Sequence, residues 1–349
     1  MAAAGLTGLE ALWQRHAWRA RPSLLARALQ PLSWLYAAVA AVLHWPYRVG
    51  LRRPAPLPVP VVVVGNLVVG GAGKTPTVIA LVRWLRDHGW HPGVVSRGYG
   101  RRGDAVRAVD ATATAAEVGD EPRLIARRTG VPVVVGRDRV AAARALLRAH
   151  PQVDVLVSDD GLQHHRLPRT LAIVVFDERG TGNGLRLPAG PLRAPMPRAV
   201  PPRTLVLYNA ERPTTPWPGS CVRRALAGAV ALDAWWRGEP PTAAALAALR
   251  GRPLRAAAGI ASPQRFFAML EAQGLAFERL PLPDHHDYAT LPWPAGTRDV
   301  VVTEKDAVKL DPARVGATRV WVAPLDFAFD PAFEAALAAA LGAPTEARR

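Results

Sequence analysis

The sequence predicts an α/β fold: a parallel sheet with helices on both faces, a second and smaller α/β domain, and an apolar helical segment at the N-terminus. Three observations lead to it. From about residue 59, short β-branched runs alternate with helical stretches, the pattern of a covered parallel sheet. Prolines cluster at Pro188, Pro191, Pro195, Pro197, Pro201 and Pro202, and the alternation then resumes. Residues 28–47 contain no Asp, Glu, Lys or Arg. A chain of 349 residues is long enough for two ordinary domains. The expected division is 1–55, 56–215 and 216–349.

The N-terminal run "ALQPLSWLYAAVAAVLHWPY" is bracketed by Arg27 and Arg48. Gln30, Pro31, His44 and Pro46 shorten its apolar part to about a dozen residues, against the roughly 20 that a spanning helix needs. No small-residue cleavage site follows, so it does not read as a signal peptide. Ahead of it, Leu6, Leu9, Leu12, Trp13 and Trp18 mix with Arg15, Arg19 and Arg21, a composition suited to a membrane interface. Residues 1–55 are therefore read as membrane-associating. A helical hairpin packed on the protein's own core is the competing reading, and spanning versus lying on the bilayer stays open.

In the first domain, "VPVVVVGN" has the apolar, β-branched character of a buried parallel strand. "VVGGAGKT" follows, then a helical "TPTVIALVRWLRDHG" with Pro76 in its first turn and Gly89 at its end. "HPGVVSRGYG", "VPVVVG", "VDVLVSDD", "LAIVVFD" and "RTLVLYN" are further strands, with a helix over 137–149. Beyond the prolines come helices over 241–250, 263–273 and 331–341, and strands in "LRAAAGIA", "DVVVTE" and "RVWVAP".

The glycine-rich stretch carries the chemistry. A strand, a glycine turn and a helix N-terminus make an anion site from backbone N–H groups. Gly70, Gly71 and Gly73 permit close approach, Lys74 would reach the β- and γ-phosphates of a nucleotide, and Thr75 would present its hydroxyl to Mg²⁺. The whole cradle is expected to be Val68, Val69, Gly70, Gly71, Ala72, Gly73, Lys74 and Thr75, which makes the first sheet of the P-loop NTPase type. Val68 departs from the usual G-x-x-x-x-G-K-[ST], which has glycine there. "VDVLVSDD" ends in Asp159 and Asp160, and a carboxylate at the tip of a neighbouring parallel strand faces the ligand crevice. "GDEP" sets Asp120 and Glu121 at a helix start, either as caps or as groups that position an acceptor hydroxyl. "LPDHHDY" supplies His285 and His286, as surface residues or as the partner of a carboxylate base.

Composition adds context. The single cysteine, Cys221, excludes an intrachain disulfide and fits a reducing compartment. The histidines have no zinc spacing with it. The formal charge of +16 comes from arginines scattered among alanines rather than gathered in tracts, so no nucleic-acid partner is expected. Of 44 basic residues only Lys74, Lys305 and Lys309 are lysines. A slim point charge is kept where a planar fork does not fit, which marks "TEKDAVK" as a site segment of unassigned role.

In this order, "VGNLVVGGAGKTP", "VVSRGYGR", "GDEP", "SDDGLQH", "GNGLRLPAGPLR", "AGIASPQRFF", "LPDHH" and "TEKDAVK" closely resemble the tetraacyldisaccharide 4′-kinases of lipid A synthesis, from about residue 62 to 309. The resemblance implies ATP and Mg²⁺ as cofactors and an acylated disaccharide lipid as acceptor. It implies a place on the cytoplasmic face of the bacterial inner membrane, at an anionic surface, with no required protein partner. It also implies residue roles. Asp120 with His285, rather than His286, would activate the hydroxyl. Glu121 and Asp159 would be the magnesium-associated acids, Asp160 a further catalytic-site acid, and Lys74 and Thr75 the loop residues. That family also generally lacks the first loop glycine, so Val68 fits. Thr170, Thr181 and Ala194 depart from its pattern, outside the proposed chemistry. The rival reading is a P-loop regulatory or metallochaperone NTPase, which would usually carry Cys/His metal motifs absent here.

Overall fold

The computed structural model describes residue 13 and residues 16–344. The expectations on Leu6, Leu9, Leu12 and Arg15 lie outside them. The first two helices given in full among the described residues are α1 (Leu24–Ala28), capped by Ser23, and α2 (Gln30–Arg48). The α2 helix presents Leu32, Leu35, Val39, Val42 and Leu43 to solvent at helical spacing. Its opposite side meets the protein: Ser33 Oγ donates to the Arg186 carbonyl at 2.9 Å, and Tyr36 Oη donates to the Arg193 carbonyl at 3.1 Å. Among the described residues no helix is long and apolar enough to cross a membrane.

The first sheet takes its strands in the order β3-β4-β2-β5-β1-β6-β7-β8. They are β1 (Val61–Gly65), β2 (Pro92–Ser96), β3 (Arg107–Ala108), β4 (Val133–Val135), β5 (Val155–Asp159), β6 (Leu171–Asp177), β7 (Thr204–Asn209) and β8 (Ser220–Cys221). All pairs are parallel except β3 on β4. The alternation of β1 divides its side chains between two cores. Val62 and Val64 face α3 (Lys74–Asp87), with Leu81 and Leu85, and α5 (Asp120–Thr129), with Leu124 and Ile125. Val61 and Val63 face α6 (Arg139–Ala149), through Val140 and Leu146. The short α4 (Ala115–Val118) leads into α5 across Gly119.

The expected boundary at 215 falls between β7 and β8, so this sheet continues to Cys221. Two residues of pairing at an edge leave no hydrophobic period to read. The second sheet has the order β10-β14-β13-β11-β12. Its strands are β10 (Val230–Ala231), β11 (Leu254–Ala258), β12 (Glu278–Pro281), β13 (Asp299–Val302) and β14 (Arg319–Val322). A two-stranded ribbon joins β9 (Arg223–Leu226), which precedes the second sheet in sequence, to β15 (Leu325–Ala328), which follows it. Helices α7 (Leu232–Arg237), α8 (Ala243–Ala247), α9 (Pro263–Ala272) and α10 (Glu304–Ala307) cover the second sheet, and α11 (Pro331–Leu341) is the last helix among the described residues. The apolar core under α3 runs on into Val230, Trp235, Val300 and Val302, so the two sheets share it. Arg123 and Arg127 of α5 also reach across, stacked over Trp236 at 4.7 and 4.6 Å.

Candidate active site

The site lies at the C-terminal ends of β1, β2 and β5, where the strand order reverses about β1. The glycine-rich loop leaves β1 at Asn66 and enters α3 at Lys74. Gly73 has φ 93°, and a Cβ there would run into the Asn209 side chain, whose Nδ2 donates to the Ala72 carbonyl at 3.2 Å. Val68 is fully buried and forms a bridge with Leu192, while Val69 N donates to the Pro191 carbonyl at 2.9 Å. This position is therefore clamped to the "GPLR" segment and does not need glycine. Arg179, fixed on Asp177, donates to the Gly71 carbonyl at 3.0 Å.

Lys74 Nζ lies 3.4 Å from Asn66 Oδ1 and 3.9 Å from Asp160 Oδ1. Asp160 adopts a left-handed φ of 48°. It receives Arg193 through both guanidinium nitrogens, at 2.8 and 3.1 Å. Burial pushes the Asp160 carboxyl up, but Lys74, Arg193 and Arg139 outweigh it and hold the group below its ordinary value. Asp159 is the opposite case. Its Oδ2 accepts from Ser96 Oγ at 3.0 Å, its buried Oδ1 has no partner, and burial with Glu121 and Asp160 pushes it up to about 7. A buried carboxylate oxygen without a hydrogen-bond partner, beside other acids, is a natural place for a hard cation.

Asp120 opens α5 and is 5 % exposed. Its Oδ1 accepts from Glu121 N at 3.0 Å and its Oδ2 lies 3.0 Å from His285 Nδ1. Burial raises the Asp120 carboxyl, but the His285 hydrogen bond and the charges of Lys305, His285 and Lys309 hold it below its ordinary value. The same bond raises His285, against burial and Lys305. His286 is not the partner: its ring packs on Tyr288, 4.8 Å between centroids.

"TEKDAVK" builds the other wall. Thr303 caps α10, Asp306 accepts from Gly259 N at 3.1 Å, and the turn aims both lysines at the acids of α5. Lys305 Nζ lies 3.3 Å from Glu121 Oε1, and Lys309 Nζ lies 4.0 Å from Asp120 Oδ2. Two spaces meet here. A groove of about 990 Å³ is lined by Tyr99, Arg139, Asp159, Asp160, Gln163 and His285. A more apolar cavity of about 220 Å³ opens beside Gly73 and Thr75 and is walled by Ile260, Phe266, Met269, Leu226 and Phe327. Lys74, Glu121 and Lys305 line both.

The structure thus brings Lys74, Asp159, Asp160, Glu121, Asp120 and His285 to one place. Sequence reasoning did not single out Asn66, Ser96, Arg139, Gln163 or Arg193. Asn66, Ser96, Gln163 and Arg193 stood inside quoted motifs, whereas Arg139 gave no local signal.

Residues 25–342 match the family described as tetraacyldisaccharide-1-P 4′-kinase, LpxK. The chain belongs to this family. It is 60% identical over 330 residues to the tetraacyldisaccharide 4′-kinase of Methylibium petroleiphilum, covering 93% of this chain and 92% of that one. It is 57% identical to the kinase of Leptothrix cholodnii, covering 90% and 92%. The crystal structure of LpxK from Aquifex aeolicus in complex with ATP superposes with a TM-score of 0.74 at 27% identity, over 91% of this chain and 100% of that one.

Proposed function

We propose that the protein is an ATP-dependent lipid kinase that moves the γ-phosphate of ATP to the 4′-hydroxyl of a tetraacylated glucosamine disaccharide 1-phosphate, forming lipid IVA in lipid A biosynthesis. The carrying observation is the convergence, in a member of this family, of the glycine-rich loop with Lys74 and the Asp120–His285 pair on one groove. In this reading the loop acts as a P-loop: its N–H groups and Lys74 hold the β- and γ-phosphates. The apolar cavity beside Gly73 suits the base of ATP. Asp120 accepts the hydroxyl proton, the sugar oxygen bonds to the γ-phosphorus, the β–γ bridging bond breaks, and ADP leaves. Thr75, Asp159 and Glu121 would hold Mg²⁺. The partnerless buried Oδ1 of Asp159 supports an ion held by one or two carboxylates together with phosphates. When bound, Mg²⁺ supplies charge neutralisation of the phosphates.

The apolar face of α2 supports peripheral attachment at the cytoplasmic side of the inner membrane, where anionic lipids meet a basic protein. Ser33 and Tyr36, on the opposite side of α2, tie the helix to the 186–193 segment, and Arg193 ties that segment to Asp160, so the attached helix borders the groove that takes the lipid headgroup.

The test is transfer of label from γ-labelled ATP, with Mg²⁺, to the tetraacyl disaccharide 1-phosphate in detergent. A labelled lipid is expected, lost in Lys74→Ala. Label released only as free phosphate, with or without acceptor, overturns the reading and favours a regulatory NTPase.

A further inference from the structure

Lys305 is 18% exposed along its side chain and its ammonium faces three acceptors: Glu121 Oε1 at 3.3 Å, Asp284 Oδ1 at 3.2 Å and His285 Nε2 at 3.3 Å. An ammonium has three N–H donors and no acceptor. Its contact with His285 therefore has one direction: Lys305 donates and Nε2 accepts. A neutral imidazole that accepts at Nε2 carries its proton on Nδ1. Nδ1 lies 3.0 Å from Asp120 Oδ2, so that proton is donated to the carboxylate.

We propose that Lys305 is a positioning residue that caps His285 Nε2, fixes the ring proton on Nδ1, and so leaves the Asp120 carboxylate as the only proton acceptor of the pair. The proposal rests on the kinase reading for its consequence, but not for its geometry. Nε2 is closed to a substrate hydroxyl while Lys305 sits on it, so His285 serves as hydrogen-bond donor and Asp120 as base. The same ammonium holds Glu121 by its side chain, although Glu121 adjoins Asp120 in the chain. One lysine thus separates the tasks of two neighbouring acids. Its slim end explains why an arginine-rich chain keeps lysine here: a planar fork does not direct three donors at three converging acceptors.

The charged groups around the ring are Asp120 and Glu121 from α5, Asp284 on its own loop, and Lys305 and Lys309 from the segment of α10, with Tyr99 5.4 Å away between ring centroids. Asp120 draws a second proton onto the ring and Lys305 opposes it. The cap therefore belongs to the neutral ring, and the test is made above its titration.

The test is ¹⁵N NMR of histidine-labelled full-length protein at alkaline pH, with His285 assigned by His285→Gln. The wild type is expected to show a pyrrole-type Nδ1 and a pyridine-type Nε2. Lys305→Met is expected to mix the two tautomers and to lower kcat roughly ten- to a hundredfold, with little change in KM for ATP. In a Cys221→Ser background, Lys305→Cys treated with bromoethylamine restores an ammonium and is expected to recover both readouts. A wild-type Nε2–H tautomer, or a Lys305→Met spectrum unchanged at His285, overturns the proposal. Absence of lipid phosphorylation by the wild type would overturn the kinase reading and leave the NMR result standing by itself.

Discussion

Asp120 Oδ2 and His285 Nδ1 lie 3.0 Å apart across 165 residues of sequence, the first on α5 of the first sheet and the second on a loop of the second. Both are held: Asp120 by the Glu121 amide, His285 by a left-handed φ of 60° and a bond from its own N–H to the Gly259 carbonyl. A base and its partner positioned from two sheets should act as one unit. Asp120→Asn is expected to lower kcat about 10²- to 10⁴-fold, and His285→Ala by a smaller factor. The double variant should be little worse than Asp120→Asn. Multiplicative losses would mean that the two act separately.

The pair also sets a pH dependence. His285 is raised above its ordinary 6.5, chiefly by the Asp120 hydrogen bond, so its share of stability is present below 6.5 and fades as pH rises through its folded value. Asp120 is depressed below 3.8, so its share is present above 3.8 and fades as pH falls through its folded value. Between those limits both contribute. Asp120→Asn should lower the midpoint of the His285 titration followed by NMR. A midpoint that stays put would disconnect the raised imidazole from Asp120.

How far these arrangements could be read from sequence differs by element. β1, the loop and Asp159 were legible because a β-branched run, a glycine turn and a helix follow one another within a short stretch, and each has its own period or punctuation. The edge pieces β3, β8 and β10 were not, since two-residue strands have no period. The residues by themselves narrowed the Asp120 partner only to two histidines, and it was the family resemblance that favoured His285. What selects His285 is the turn that packs His286 on Tyr288, a tertiary matter. Lysine retention pointed at Lys305 and Lys309, but their targets depend on Asp306 anchoring α10 to Gly259 in another strand's exit.

Asp159 should expose a conflict between stability and function. Burial, Glu121 and Asp160 raise it to about 7. A raised carboxyl favours the fold while protonated, below 3.8, and that advantage is lost as pH rises through about 7, where the buried oxygen becomes an unpaired charge. Asp159→Asn should therefore raise the unfolding midpoint of the metal-free protein at alkaline pH, by about 2 °C or more. It should also abolish the stabilisation that Mg²⁺-ATP gives the wild type. A variant that melts lower at alkaline pH without metal would contradict this account of the site.

The outer face of α2 makes a separable prediction. Trp34 is 66 % exposed, Val42 72 % and Leu43 65 %. Each large apolar side chain that leaves water contributes about 1.5–3 kcal/mol at most. Replacing Trp34, Val42 and Leu43 by Ser should weaken sedimentation with anionic vesicles at least about tenfold. The unfolding midpoint should hardly move, because these side chains touch little of the protein. Equal sedimentation of wild type and variant would remove α2 from the membrane contact.

Val68 is where the loop departs from the standard pattern, and restoring that pattern should do harm. The residue is fully buried in the core cluster that includes Val63, Leu67, Leu192 and Trp217, and it bridges Leu192, the residue before Arg193. Its φ is not positive, so glycine brings no relief there. Val68→Gly removes a packed side chain and adds backbone freedom, at a cost of about 2–4 kcal/mol. The damage should extend beyond stability. A loosened bridge frees the backbone beside Arg193, whose guanidinium holds Asp160 and Asn66 around Lys74. KM for ATP should therefore rise together with the fall in melting midpoint, whereas Val68→Ile, which keeps the bridge and the burial, should leave KM near the wild type. A glycine variant with wild-type stability and KM would mean that the loop is organised without its clamp.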